Sequence, residues 1–149
     1  MKVTPRRRAR ELVLQGLYER QVGGADAGIV ASDLAASPGH SRADQPYFSL
    51  LWKGVTEDYE TLLAALAPHL DRAVTALSPI ERGILVIGAW ELMRRLEIPY
   101  KVVINEAVEL GKAYGATDGH RYVNGVLDRV AAVLRRDEVA APRRDAAPP

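Results

Sequence analysis

Residues 98–130, IPYKVVINEAVELGKAYGATDGHRYVNGVLDRV, read as two helices joined by a tight, glycine-bearing corner. Pro99 suits a first helical turn, where its missing N–H sacrifices no hydrogen bond. Val103, Ala107, Leu110 and Tyr114 then recur at spacings of four, three and four, one face of a helix. Gly115 is placed to stop that helix, and Asp118 to cap the next one through its carboxylate. Val123, Val126, Leu127, Val130 and Leu134 form a second apolar stripe. Asp118, Arg121 and Tyr122 fall off the stripes near the corner, and Tyr114 both ends a stripe and sits at the corner. Two readings are open. An aromatic, basic and acidic cluster at such a corner suits a stacked base and a held phosphate. In the other, which is the commoner outcome of this spacing, the tyrosine closes the core and the arginine lies on a solvated face.

Towards the N-terminus, Thr4 is a capping hydroxyl with Pro5 at the first helical position. Lys2, Arg6, Arg7, Arg8 and Arg10 place five positive charges and no acid in the first ten residues. The net charge of +1 hides this asymmetry, because the other 139 residues carry 15 basic and 19 acidic side chains. Arginines in a first turn oppose the helix dipole, so fold stability alone does not select them. A polyanionic partner reverses the sign of that cost. On the same helix Ala9, Leu12, Val13, Gly16 and Leu17 share one face, with Leu14 and Tyr18 on the other. Leu14 and Tyr18 are either a protein-docking patch or packing beneath a neighbouring helix, and Gly16 permits a close helix approach.

In the middle of the chain, residues 26–36 predict a short helix carrying Ile29, Val30 and Leu34. A third helix begins near Asp44 or Pro46 and carries Phe48, Leu51, Trp52, Val55, Tyr59, Leu62, Leu63 and Leu66 before Pro68 stops it. Ser78-Pro79-Ile80-Glu81 is a capping box. The helix it opens is apolar nearly all round from Ile84 to Trp90, as a central buried helix is, and Arg94 and Arg95 suit its C-terminal end. No strand pattern and no repeat is evident, so the expected fold is all-α. Residues 1–136 are expected to form one helical domain with a basic arm, and residues 137–149 a disordered Pro- and Ala-rich tail.

Catalysis has no visible carrier. The chain has no Cys, which excludes disulfides, thiolate metal sites and a cysteine nucleophile. His40, His69 and His120 lack ligand spacing. Glu106 and Glu109 read as a solvated face or salt-bridge partners, and no phosphate-binding glycine loop or nucleophile elbow appears. Hydrophobic residues at 48% and charged residues at 26% fit an ordinary globular protein. The N-terminus is too basic for a secretory signal, and no apolar run approaches the ~18 residues of a membrane span. A cytoplasmic binding protein is expected, without metal or cofactor.

PYKVVINEAVELGKAYGATDGHRYVNGVLD closely resembles the signature of the NusB family of bacterial transcription antitermination factors. The resemblance continues through RRRARELVLQGLYE and SPIERGILVIGAWELMRR, covering most of residues 5–135. It implies about seven helices in two small packed bundles and no cofactor. It further implies binding to the boxA element of nascent ribosomal RNA, jointly with the ribosomal protein NusE. Other Nus factors and RNA polymerase then join the assembly. By the resemblance, Arg6, Arg7, Arg8 and Arg10 face RNA, as do Tyr114, Asp118, Arg121 and Tyr122. Tyr18 and Glu81 face NusE, with Leu14 added from the helical projection. Members occur as monomers and as homodimers, and the RNA is expected to be single-stranded. Two alternatives stand beside this reading. RNA 5-methylcytosine methyltransferases carry a NusB-like domain, but their chemistry requires cysteines that these 149 residues lack. A plain helical scaffold would fail to bind nucleic acid at all.

Overall fold

A computed structural model describes residues 3–141. Among these, eight α-helices follow in order: α1 (Pro5–Gly23), α2 (Ala27–Ala35), α3 (Gln45–Glu57), α4 (Tyr59–Leu66), α5 (Pro79–Arg94), α6 (Tyr100–Tyr114), α7 (Gly119–Leu134) and α8 (Arg136–Ala140). The described residues contain no strand, and no helix among them is long and apolar enough to cross a membrane. Lys2 and residues 142–149 lie outside the described residues.

Capping side chains start the helices of the first bundle. The Thr4 hydroxyl accepts from the Arg7 N–H at 3.1 Å, with Pro5 in the first turn, as the sequence predicts. Asp26 accepts from the Gly28 N–H at 2.9 Å and Asp44 from the Tyr47 N–H at 3.0 Å, opening α2 and α3. These helices pack round Gly16, where an added Cβ would sit 2.6 Å from the Trp52 ring. The close approach read from Gly16 is therefore made, against an indole whose N–H donates to the Ala27 carbonyl at 3.2 Å.

The second bundle is built on α5, which is buried without a break from Gly83 to Leu92. Helices α4, α6 and α7 pack against it, and α1 packs against it from the first bundle. One apolar cluster thus runs through both halves, from Ala9 and Val13 through Ile84 and Ile87 to Val123 and Leu127. Leu14 belongs to this seam, because a Cβ on Gly83 would lie 2.7 Å from its Cδ1. Only 3% of Leu14 is exposed, so it packs beneath a neighbouring helix, the second of the two roles open to it.

Four details differ from the sequence reading. The long third helix is two helices, because the Asp58 N–H closes α3 on the Gly54 carbonyl while the Asp58 carbonyl opens α4 by accepting from Leu62. The apolar spacing continues across this bend, which is why periodicity could not reveal it. Pro99 precedes α6 rather than entering its first turn, and the Glu138 carboxylate accepts from the Tyr100 N–H at 2.8 Å. The folded chain consequently extends past residue 136, into α8, whereas the tail was expected to begin at 137. Finally, the α5 C-terminus is satisfied from the junction of α7 and α8. Buried Arg135 donates to the carbonyls of Glu91, Leu92, Arg95 and Ile98 at 2.7–3.1 Å.

Candidate functional site

The basic first turn of α1 divides into two kinds of arginine. Arg10 is only 4% exposed, and its Nε lies 3.0–3.1 Å from both oxygens of buried Glu91. Its Nη1 reaches Glu106 at 3.2 Å. Arg7 grips the same Glu106 through Nε at 3.0 Å and Nη2 at 2.7 Å. Tyr47 donates its hydroxyl to Glu91, and its ring lies 4.0 Å beneath the Arg6 guanidinium. Arg6 also approaches Asp44 at 3.5 Å, with its side chain still 43% exposed. Arg8 has no ion pair among the described residues and lines a surface groove. Burial removes Arg10 from the surface expected of it and ties Arg7 into the fold. Arg6 and Arg8 are the cations of this turn best placed for solvent.

The network moves its own protonation equilibria. Arg7 hydrogen bonding, then the charges of Arg10 and Arg7, hold the Glu106 carboxyl below its ordinary range against the effect of burial. Burial raises the Glu91 carboxyl, with Arg10 and the Tyr47 hydroxyl opposing the rise. Burial, followed by the Glu91 charge, raises the Tyr47 phenol.

The corner between α6 and α7 separates residues that are neighbours in sequence. Tyr114 is 49% exposed and donates its hydroxyl to Glu11 at 2.8 Å, turning towards α1 and Arg8. Tyr122 turns towards the loop before α5, where Arg72 lies 4.7 Å over its ring and its hydroxyl accepts from the Asp71 N–H at 3.4 Å. Arg121 turns outwards, 3.6 Å from Asp118. Asp118 corrects the sequence reading, since its side chain makes no capping bond. It adopts the left-handed conformation, φ 67°, and the turn is closed by backbone bonds from Gly119 to Ala116 and from Arg121 to Asp118. Asp is among the few non-glycine residues that tolerate this conformation.

Arg8, Glu11, Leu14 and Tyr18 of α1, with Ile80 and Tyr114, line a groove of about 480 Å³. Tyr18 is 42% exposed. Glu81, one residue beyond Ile80, is partly engaged by its own helix. The Ser78 hydroxyl accepts from the Glu81 N–H at 3.1 Å and donates to its carboxylate at 3.2 Å. The capping box is therefore closed through the two side chains, with the carboxylate on the hydroxyl rather than on the Ser78 N–H. A Cβ on Gly119 would lie 3.3 Å from the Glu81 carboxylate, so the starts of α5 and α7 are adjacent.

Glu91, Tyr47, Arg72 and Arg135 carry much of this arrangement and were not singled out from sequence. Glu91 left a trace, an acid directly after the apolar run from Ile84 to Trp90, which demands a buried partner. Because Glu106 has a lowered folded-state value, its stabilising contribution is complete above its ordinary value of 4.5 and is lost as pH falls below it. The stability difference between wild type and Glu106→Gln should therefore be largest at neutral pH and shrink on acidification through that range. Denaturant unfolding at several pH values measures it, and a pH-independent difference would contradict the ion-pair assignment.

The NusB family profile matches residues 7–132. The transcription antitermination protein NusB of Dechloromonas aromatica is 52% identical over 136 residues, covering 91% of this chain and 83% of the relative. That of Paraburkholderia xenovorans is 49% identical, covering 93% and 96% respectively. The solved structure of T. maritima NusB superposes with a TM-score of 0.80 at 26% identity, over 95% of this chain and all of the other. Profile, relatives and fold agree, and the chain belongs to the NusB family.

Proposed function

We propose that this protein is a cytoplasmic RNA-binding transcription antitermination factor. In this reading it binds a boxA-like single-stranded element of nascent ribosomal RNA together with NusE. The pair then helps assemble the antitermination complex of Nus factors on RNA polymerase. The observation that carries the proposal is the groove lined by Arg8, Tyr114 and Tyr18, with Arg8 and Tyr18 ten residues apart along α1. A cation without an ion pair beside a half-exposed ring supplies phosphate attraction and base stacking without a deep pocket. Tyr18 on the same groove, and Glu81 next in sequence to the groove residue Ile80, are offered to the protein partner, so RNA and NusE share one surface.

Within this proposal the arginines have different tasks. Arg6 and Arg8 meet phosphate, while Arg7 and Arg10 fix the turn that presents them. Tyr122 is half-buried against the core with Arg72 over its ring, and it meets RNA only where that guanidinium gives way. Asp118 holds Arg121 at the surface, and because this exposed ion pair is weak, the arginine is easily exchanged onto phosphate. The net negative charge of the chain beyond its first ten residues disfavours RNA on acidic faces.

Arg8→Gln should weaken all single-stranded RNAs about equally and reduce the magnitude of the salt slope by roughly 0.7. RNA titrations at several salt concentrations read this, and an unchanged slope would remove Arg8 from the phosphate contacts. Tyr18→Asp should abolish NusE binding while leaving helical circular dichroism and the melting temperature near wild type. Retained NusE binding would show that the partner docks elsewhere. The proposal as a whole requires wild-type protein to bind boxA RNA more tightly with NusE present than without it.

A further inference from the structure

A second groove, of about 490 Å³, runs along the outer junction of α6 and α7. Its chemistry differs from that of the first. Lys101, Lys112 and Arg121 bring three cations to it, against the single carboxylate of Asp128. Two amides, Asn105 and Asn124, contribute from opposite helices, Ile104 supplies apolar surface, and Tyr100 supplies a ring. Lys101 has no ion pair among the described residues. The partners of the other two cations are surface carboxylates, Glu109 at 3.5 Å from Lys112 and Asp118 at 3.6 Å from Arg121. Such exposed pairs contribute little and exchange readily for another anion.

We infer that this groove binds the continuation of the RNA strand, one or a few nucleotides flanking the boxA-like element. The inference rests on the RNA-binding reading above and extends it to a surface that includes no residue of the α1 arm. Phosphates are met by Lys101 and Lys112, base edges by the two amides, and a base face by Tyr100. An acidic peptide would satisfy the cations but would leave the paired amides and the ring without a specific task. Continuity is supplied by Arg121, which borders both the corner and the groove.

The test compares an RNA carrying only the element with RNAs extended by about four nucleotides at the 5′ or the 3′ end. Wild type should bind one extended RNA at least about fivefold more tightly than the short one, the gain expected of a single stacked base. Lys101→Gln/Lys112→Gln changes only exposed side chains and should preserve the circular dichroism and the affinity for the short RNA. It should lose the gain from extension, with a salt slope on the extended RNA about 1.4 smaller in magnitude, 0.7 for each cation. If the short RNA binds but neither extension adds affinity, or if the double variant keeps the gain, the groove assignment is overturned and the RNA-binding reading survives. If no RNA binds at all, it is that reading which fails, and this inference with it. A polyglutamate peptide bound by wild type and lost in the variant, with no gain from extended RNA, would give the groove to an acidic protein segment and overturn the inference.

Discussion

The guanidinium of Arg10 lies where four helices meet, and its charge is withdrawn from water. It extends from α1 to Glu91 on α5 and Glu106 on α6, while Tyr47 on α3 donates to the same Glu91. Removing two opposite charges from water costs several kcal/mol for each ion, recovered only when geometry and additional hydrogen bonds are good. Here Glu91 receives Arg10 on both oxygens and a phenol on one, and Arg10 has a second carboxylate in reach. The consequence is geometric. The first turn of α1 can take few positions relative to α5 and α6 without leaving a buried charge unpaired. Arg6 and Arg8, on either side of Arg7, inherit that fixed position.

This division of labour changes what a basic N-terminus means. Counted along the chain, the arm offers a cluster of equivalent cations. Counted in space, Arg10 is structural, Arg7 is mostly so, and Arg6 is shared with Asp44 and the Tyr47 ring. A counter-ion that orders an arginine reduces its attraction for RNA, yet the ordered turn loses less entropy on binding. The α6–α7 corner works similarly. Tyr114, Arg121 and Tyr122 look like one cluster in sequence but face three directions, so a strand following the surface would meet them in succession rather than in one pocket.

Much of the fold was legible because helix periodicity and capping chemistry are local. Thr4, Asp26 and the Ser78 box mark helix starts, and the unbroken apolar run of α5 marks the centre. What sequence reading missed depends on partners distant along the chain. Arg135 caps α5 from 40 or more residues away, and Glu138 caps α6 from 38 residues away. The stripe of α3 and α4 continues across the bend at Asp58, so no periodic signal could break it. Asp118 illustrates another gap, since its residue type suits both a cap and a left-handed turn, and only the backbone chooses. The residue types of the candidate site were legible. Which arginines are free was not, because Glu91 and Glu106 lie 81 and 96 residues beyond Arg10.

The most direct test of the buried pair is a double-mutant cycle on stability. Arg10→Met alone leaves Glu91 buried without its main counter-ion, and should cost about 3–5 kcal/mol. Adding Glu91→Leu should recover most of that loss, so the two substitutions should be far from additive. Urea unfolding of wild type, both single variants and the double variant supplies the four free energies. A cost for Arg10→Met below about 0.5 kcal/mol, as for an ordinary surface substitution, with additive effects in the double variant, would contradict the account.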